Sequence, residues 1–188
     1  EPLPFAPAGA WMIGPHSAAN ARVAAIAALA MGMPAPAVAA GVESFPGVPH
    51  RLERVAEIGG VLYVNDSKAT NVAAAAAALR AFDGGVHAIL GGSPKGGDFG
   101  GLSEPVAERC RAVYLIGPAA DPIERALADA GVEVNRANGM AAAFAQASAA
   151  AIAGETVLLA PACASFDAYS DYEERGRHFR SLVEGLAR

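Results

Sequence analysis

Val61-Leu62-Tyr63-Val64-Asn65 runs without a break into Asp66-Ser67-Lys68-Ala69-Thr70-Asn71, and an alanine block follows at 73–78. The first five residues are largely apolar and β-prone, which predicts a buried strand. The alanine block predicts a helix that packs closely against a sheet. Between them, six residues hold a carboxylate, two hydroxyls, an amine and an amide. Exposed backbone N–H groups and the helix dipole at such a junction favour an anion, with Lys68 and Thr70 placed to supplement them. The plainer reading is a polar turn in which Thr70 or Asn71 caps the helix.

The same alternation continues outward. Residues 54–58 and 61–65 read as a hairpin around Gly59-Gly60, and residues 71–82 as the alanine-rich helix. Residues 86–90 form a short buried strand ending at Gly91-Gly92. Residues 102–110 are helical with Ser103 as N-cap, and 112–116 are the next strand. Asp121-Pro122-Ile123-Glu124 carries an N-cap Asp, Pro at the first helical position and Glu three residues on. A strand at 132–135, a helix at 140–151, a strand at 156–160 and an amphipathic helix ending near Leu186 complete the series. Strand–helix alternation with short apolar strands predicts an α/β sandwich on a mainly parallel sheet. Ligands of such sheets bind at the carboxyl ends of the strands.

Two further strand ends therefore matter. Gly91-Gly92-Ser93-Pro94-Lys95-Gly96-Gly97-Asp98-Phe99 is glycine-rich, which allows close backbone approach and sets Lys95 to reach over the sheet edge. It is not a phosphate-binding P-loop, because no Gly-Lys-Ser/Thr opens a helix; a flexible surface lysine is the alternative. Pro161-Ala162-Cys163-Ala164-Ser165-Phe166-Asp167 places small residues at a strand end, with the Ser165 hydroxyl available to a ligand or to cap the last helix. Tyr172 and Arg175 follow at helical spacing. Taken together, three polar strand ends predict one concave site for a small anion.

Upstream, residues 1–15 are rich in Pro and Gly and read as irregular. Residues 17–31 carry Val23, Ile26, Ala27 and Ala30 at helical spacing, and residues 35–44 form a second short helix. Two such helices cannot bury a core alone, so they read as part of a neighbouring domain. The punctuated stretch 45–49 is the expected hinge. His50-Arg51 follows it directly, and Asn20 lies in the first turn of the first helix.

Composition sets the limits. The 188 residues carry 14 basic and 19 acidic side chains, a net charge of −5, which argues against a nucleic-acid-binding face. The 53 % hydrophobic content is largely alanine, and no run approaches the ~20 apolar residues of a membrane span. Cys110 and Cys163 have neither CxxC spacing nor His partners and read as ordinary thiols of a reducing cytoplasm.

Pro49-His50-Arg51, Asp66 through Asn71, Gly91-Gly92-x-x-Lys95, Pro161 through Asp167 and Tyr172-Glu173-x-Arg175-Gly176 together resemble the D-glutamate-adding members of the Mur ligase family. The resemblance implies a Rossmann-like three-layer domain from residue 47 to 188, which binds the amino acid. It implies that residues 1–46 are the end of a central ATP-binding domain. It further implies Asn20, Arg51, Asp66 and Lys68 as contacts of ATP. Thr70, Lys95, Ser165, Phe166 and Tyr172 would surround D-glutamate, with Lys68 and Lys95 positioning the reactants and none of these acting as an acid–base catalyst. ATP and Mg2+ are the implied cofactors of the full-length enzyme, and UDP-N-acetylmuramoyl-L-alanine the second substrate. The resemblance places no metal ligand in these residues, and the chain alone is expected to be inactive. Ser17 stands where the family usually carries an amide, and Tyr172 where it usually carries Phe. Two other readings remain: a regulatory α/β module for a small acid, and a sister ligase for another amino acid.

Overall fold

The computed structural model describes residues 3–6, 9, 11, 13–96 and 98–186. The chain divides into two compact units, Glu1–Val48 and Pro49–Arg188.

In the first unit, α1 (Gly14–Ala30) and α2 (Ala35–Ser44) form a helical pair. Trp11 donates from Nε1 to the Val42 carbonyl at 3.0 Å and meets Phe45 edge-to-face at 5.1 Å. α1 starts three residues before the predicted position because Pro15 sits in its first turn, where a missing N–H costs nothing. Val23 and Ile26, two positions of the apolar stripe at helical spacing, are 68 % and 50 % exposed.

In the second unit a six-stranded sheet has the order β1-β2-β6-β3-β4-β5. β1 (Glu53–Ile58) and β2 (Val61–Asn65) form the predicted antiparallel hairpin. β3 (Val86–Gly91), β4 (Cys110–Ile116), β5 (Glu133–Arg136) and β6 (Thr156–Leu159) run parallel to β2. Period-two alternation splits the strands between two faces. Ile89, Tyr114, Val157 and Leu159 pack on Phe144 of α6 (Met140–Ala150) and Phe179 of α7 (Tyr172–Leu186). The two phenylalanines meet edge-to-face at 5.6 Å, an arrangement worth about 0.5–1.5 kcal/mol beyond burial. Val64, Leu90, Val113, Leu115 and Leu158 alternate with that set and are fully buried on the other face. There lie α3 (Val72–Leu79), α4 (Ser103–Arg109) and α5 (Ala120–Ala126). Ala75 and Ala78 of α3 are buried, so its backbone approaches the sheet closely. The result is the three-layer α/β arrangement that the alternation predicted.

Local boundaries differ where non-local bonds intervene. α3 is capped by the Asn71 side chain, which accepts from Ala74 N at 2.9 Å, and it ends at Leu79 instead of 82. Ser103 lies inside the first turn of α4 and does not cap it, because a 3-10 turn at Gly100–Leu102 leads the chain in. Asp121 does not cap α5. Ala119 N donates to Gly92 O at 3.1 Å and Ala120 N to Gly117 O at 3.1 Å, so the helix starts earlier and Asp121 pairs with Arg136. Among the described residues no helix is long and apolar enough to cross a membrane.

Candidate functional site

The position of β6 between β2 and β3 determines the site. It puts the loops after β2, β3 and β6 side by side at the carboxyl rim, and backbone hydrogen bonds stitch them together. Ala162 N donates to Ala69 O at 2.9 Å, and Gly91 N to Pro161 O at 2.8 Å. Ser93 and Ala164 exchange both backbone bonds at 3.0 Å, an isolated antiparallel bridge across the crevice. The close approach depends on Gly92 (φ 126°), where a Cβ would lie 2.5 Å from the Ala164 carbonyl. Ala162 holds a positive φ of 61°, a conformation costing roughly 1–2 kcal/mol for an L-residue.

On this frame Lys95 extends its Nζ to 3.4 Å from Thr70 Oγ1, joining the second loop to the first. Ser165 is buried beyond the Ser93–Ala164 bridge, and its carbonyl accepts from Tyr169 N at 2.9 Å and Ala168 N at 3.1 Å. α7 begins only at Tyr172, so Ser165 does not cap it; Asp171 Oδ1 accepts from Glu174 N at 2.6 Å instead. Phe166 next door is exposed. Tyr172 lies under Lys68, whose Nζ is 4.1 Å from the ring centroid, a cation–π contact. Asp66 is buried and accepts from Leu52 N at 3.2 Å through Oδ1. Burial pushes its carboxyl up from 3.8 to about 6, against the opposing pull of the Leu52 N–H and of Arg51. Arg51 is exposed. Asn20 is exposed on α1, in the other unit. Among the described residues no three His, Cys, Asp or Glu side chains cluster to hold a metal ion.

Three supporting residues escaped the sequence reading of roles. Arg175, 1 % exposed, donates from Nε to Ser67 Oγ (3.0 Å), from Nη2 to Ser67 O (2.9 Å) and Cys163 O (3.1 Å), and from Nη1 to Ala164 O (3.1 Å). One guanidinium thus clamps the β2 and β6 loops. Burial holds its pKa down to about 10, partly offset by Asp167. Ser67, fully buried, also donates to the Tyr172 carbonyl at 2.7 Å. His50 sits at φ 63°, and its Nδ1 is 2.9 Å from Asn65 Nδ2. Its carbonyl accepts from Lys68 N at 3.1 Å. Burial and the nearby Arg180 lower its pKa, which favours the neutral imidazole. The one available signal was Arg175-Gly176 itself: a charged residue beside a glycine on an apolar helical stripe.

The sequence profile of the "Mur ligase, glutamate ligase domain" matches residues 50–163. A relative from Solibacter usitatus, named UDP-N-acetylmuramoylalanine--D-glutamate ligase, is 49 % identical over 173 residues, covering 92 % of this chain and 39 % of the relative. A relative of the same name from Myxococcus xanthus is 46 % identical over 92 % of this chain and 38 % of its own length. The chain thus spans about two fifths of the length of the curated relatives it matches. Among solved structures, the UDP-N-acetylmuramate-alanine ligase of Thermotoga maritima has a TM-score of 0.66 at 15 % identity, covering 93 % of this chain and 39 % of that one. The folylpolyglutamate synthase of Mycobacterium tuberculosis, complexed with ADP, has a TM-score of 0.66 at 19 % identity over 91 % and 41 %. The latter two share the fold. By the profile over residues 50–163, this chain belongs to the Mur ligase family through its glutamate ligase domain.

Proposed function

We propose that this chain is the D-glutamate-holding part of an ATP-dependent ligase that adds D-glutamate to UDP-N-acetylmuramoyl-L-alanine in the cytoplasm. The observation that carries the reading is the Lys95–Thr70 contact at 3.4 Å beside the Ser93–Ala164 bridge. It gathers an ammonium and a hydroxyl at a rim that also carries Ser165. A dicarboxylate needs donors at both ends, and hydrogen bonds to charged groups are worth roughly 1.5–3 kcal/mol each.

In that reaction class the γ-phosphoryl group of ATP passes to the carboxylate of UDP-N-acetylmuramoyl-L-alanine, giving an acyl phosphate and releasing ADP. The D-glutamate amine then attacks the acyl carbon, and phosphate leaves as the peptide bond forms. Thr70, Lys95 and Ser165 would hold the two carboxylates, with Phe166 and Tyr172 beside them. Lys68 would leave the Tyr172 ring to reach the phosphates, and Arg51, Asp66 and Asn20 would contact the nucleotide. Their work is positioning, which supplies much of the rate by fixing the angle of attack.

In this reading the Glu1–Val48 unit is the end of a central ATP-binding domain. Its exposed Val23 and Ile26 are a face that the rest of that domain would cover. Stretch 45–49 would be the hinge between the two. Calorimetry of the 188-residue chain with D- and L-glutamate tests the proposal. Weak, D-selective binding at about millimolar or above is expected, because so small a ligand offers little contact area and the chain spans only about two fifths of its relatives' length. Tight binding without preference for either enantiomer would point instead to a self-contained regulatory module.

A further inference from the structure

A cavity of about 450 Å3 opens between the start of α6 and the turn at 167–169, on the α6/α7 side of the rim. Gly92, Gly117, Asn138, Asp167, Arg175 and His178 supply its polar lining, and Ile116, Met140 and Tyr169 its apolar lining. Thr70, Lys95, Ser165, Phe166 and Tyr172 are not among the lining residues. We propose that this cavity is a second small-molecule site, which takes an α-amino acid with an uncharged side chain.

The carboxylate end follows from Arg175. Its guanidinium is buried, yet among the described residues no carboxylate pairs with it within 4.0 Å. Four of its five N–H groups go to a hydroxyl and three carbonyls, and the fifth, on Nη1, has no partner among the described residues. Asp167 offsets part of the cost of that burial without a direct ion pair, and a carboxylate brought into the cavity against the guanidinium relieves the rest. α6, eleven residues long, begins at the same cavity with no side-chain cap, so its first-turn amides favour the same charge. His178 engages Tyr169 through Nδ1 at 2.7 Å, closing that wall.

The ammonium end follows from Asp167. Asp167 is solvent-exposed and lines the cavity, and its carboxylate makes neither a hydrogen bond nor an ion pair among the described residues. Its Oδ2 packs against Gly117, where any Cβ would collide with it. A simple anion would meet Asp167 as a like charge, whereas a zwitterion satisfies both ends. The Ile116, Met140 and Tyr169 surfaces then suit an uncharged side chain, and the volume lies within the range of small-molecule sites.

The test is a titration of the 15N-labelled 188-residue chain, followed by NMR. The probes are leucine, 4-methylpentanoate (leucine without its amine) and D-glutamate. Leucine should give saturable shifts at the Gly92, Gly117 and Gly139 amides, and 4-methylpentanoate should bind roughly tenfold more weakly. Asp167→Asn should reduce leucine to the level of 4-methylpentanoate. Ala141→Phe, at the cavity wall, should abolish the leucine shifts. D-Glutamate shifts at Thr70 and Lys95 read the substrate loops separately, and they should survive Ala141→Phe. No saturable leucine shift at those glycines up to about 50 mM, equal affinity for leucine and 4-methylpentanoate, or an Asp167→Asn variant that binds leucine unchanged would each overturn the proposal.

Discussion

Arg175 donates to Ser67 twice, from Nε to the side-chain Oγ at 3.0 Å and from Nη2 to the backbone carbonyl at 2.9 Å, across 108 positions of sequence. The fork locks the loop after β2 to the helix that follows β6. Cys163 O and Ala164 O complete the acceptor set. The consequence is that the loops holding Thr70 and Ser165 share one anchor.

Arg175→Lys keeps the charge but loses the planar fork, and a lysine cannot reach Ser67, Cys163 and Ala164 together. We expect a loss of about 2–4 kcal/mol in stability, since several buried acceptors are left without donors. Urea unfolding of the chain reads it directly. A change below about 0.5 kcal/mol would remove the clamp from the account of this fold.

Gly176 faces His50 so closely that a Cβ would come within 2.8 Å of the ring Cε1 and overlap Nδ1. Gly176→Ala should therefore expel His50 from Asn65 and cost about 1–3 kcal/mol. His50→Gly removes the ring and also relieves the positive φ at that position. The double variant should then be more stable than the sum of the two single losses predicts. Strict additivity in denaturant midpoints would mean that the two residues do not interact.

Asp66 predicts a pH dependence with a definite sign. Its folded carboxyl titrates at about 6, against an ordinary 3.8. The native state therefore binds more protons than the unfolded state between these values, and stability contributed by Asp66 is lost as pH rises through that window. Asp66→Asn keeps an oxygen for Leu52 N but cannot ionise. Its stability relative to the parent should rise between pH 4 and pH 6, by up to about 3 kcal/mol, and then level off. Unfolding curves of the pair at pH 4 and pH 7 check this, and a pH-independent difference would refute it.

Lys95→Ala in a full-length protein carrying this chain should raise the KM for D-glutamate roughly ten- to a hundredfold, the loss of one charged contact. The KM for ATP should stay near its parent value. Steady-state kinetics with each substrate varied in turn separates the two, and an unchanged D-glutamate KM would take Lys95 out of the site.

Much of this architecture was legible in the sequence because it is local. Residues 61–65 and 86–90 read as strands from their apolar runs, Gly59-Gly60 as a turn, and the alanine block as a close-packed helix. The rule that parallel sheets bind ligands at carboxyl ends then pointed to the loops bearing Thr70, Lys95 and Ser165. Caps fared worse. Ser103 and Asp121 carried the right residue type, yet a 3-10 turn displaced one and the Gly92–Ala119 bond displaced the other. A cap depends on which backbone N–H groups remain free, and distant segments had already taken some of them.

Tertiary structure alone decided the strand order, with β6 inserted between β2 and β3. That insertion sets Ser93 against Ala164 and Ala69 against Ala162. It also gave Arg175 its clamp, His50 its place against Gly176, and the cavity its walls. Periodicity and propensity record what each segment prefers by itself. They carry no information about which segment lies beside it, and these contacts join residues tens to more than a hundred positions apart.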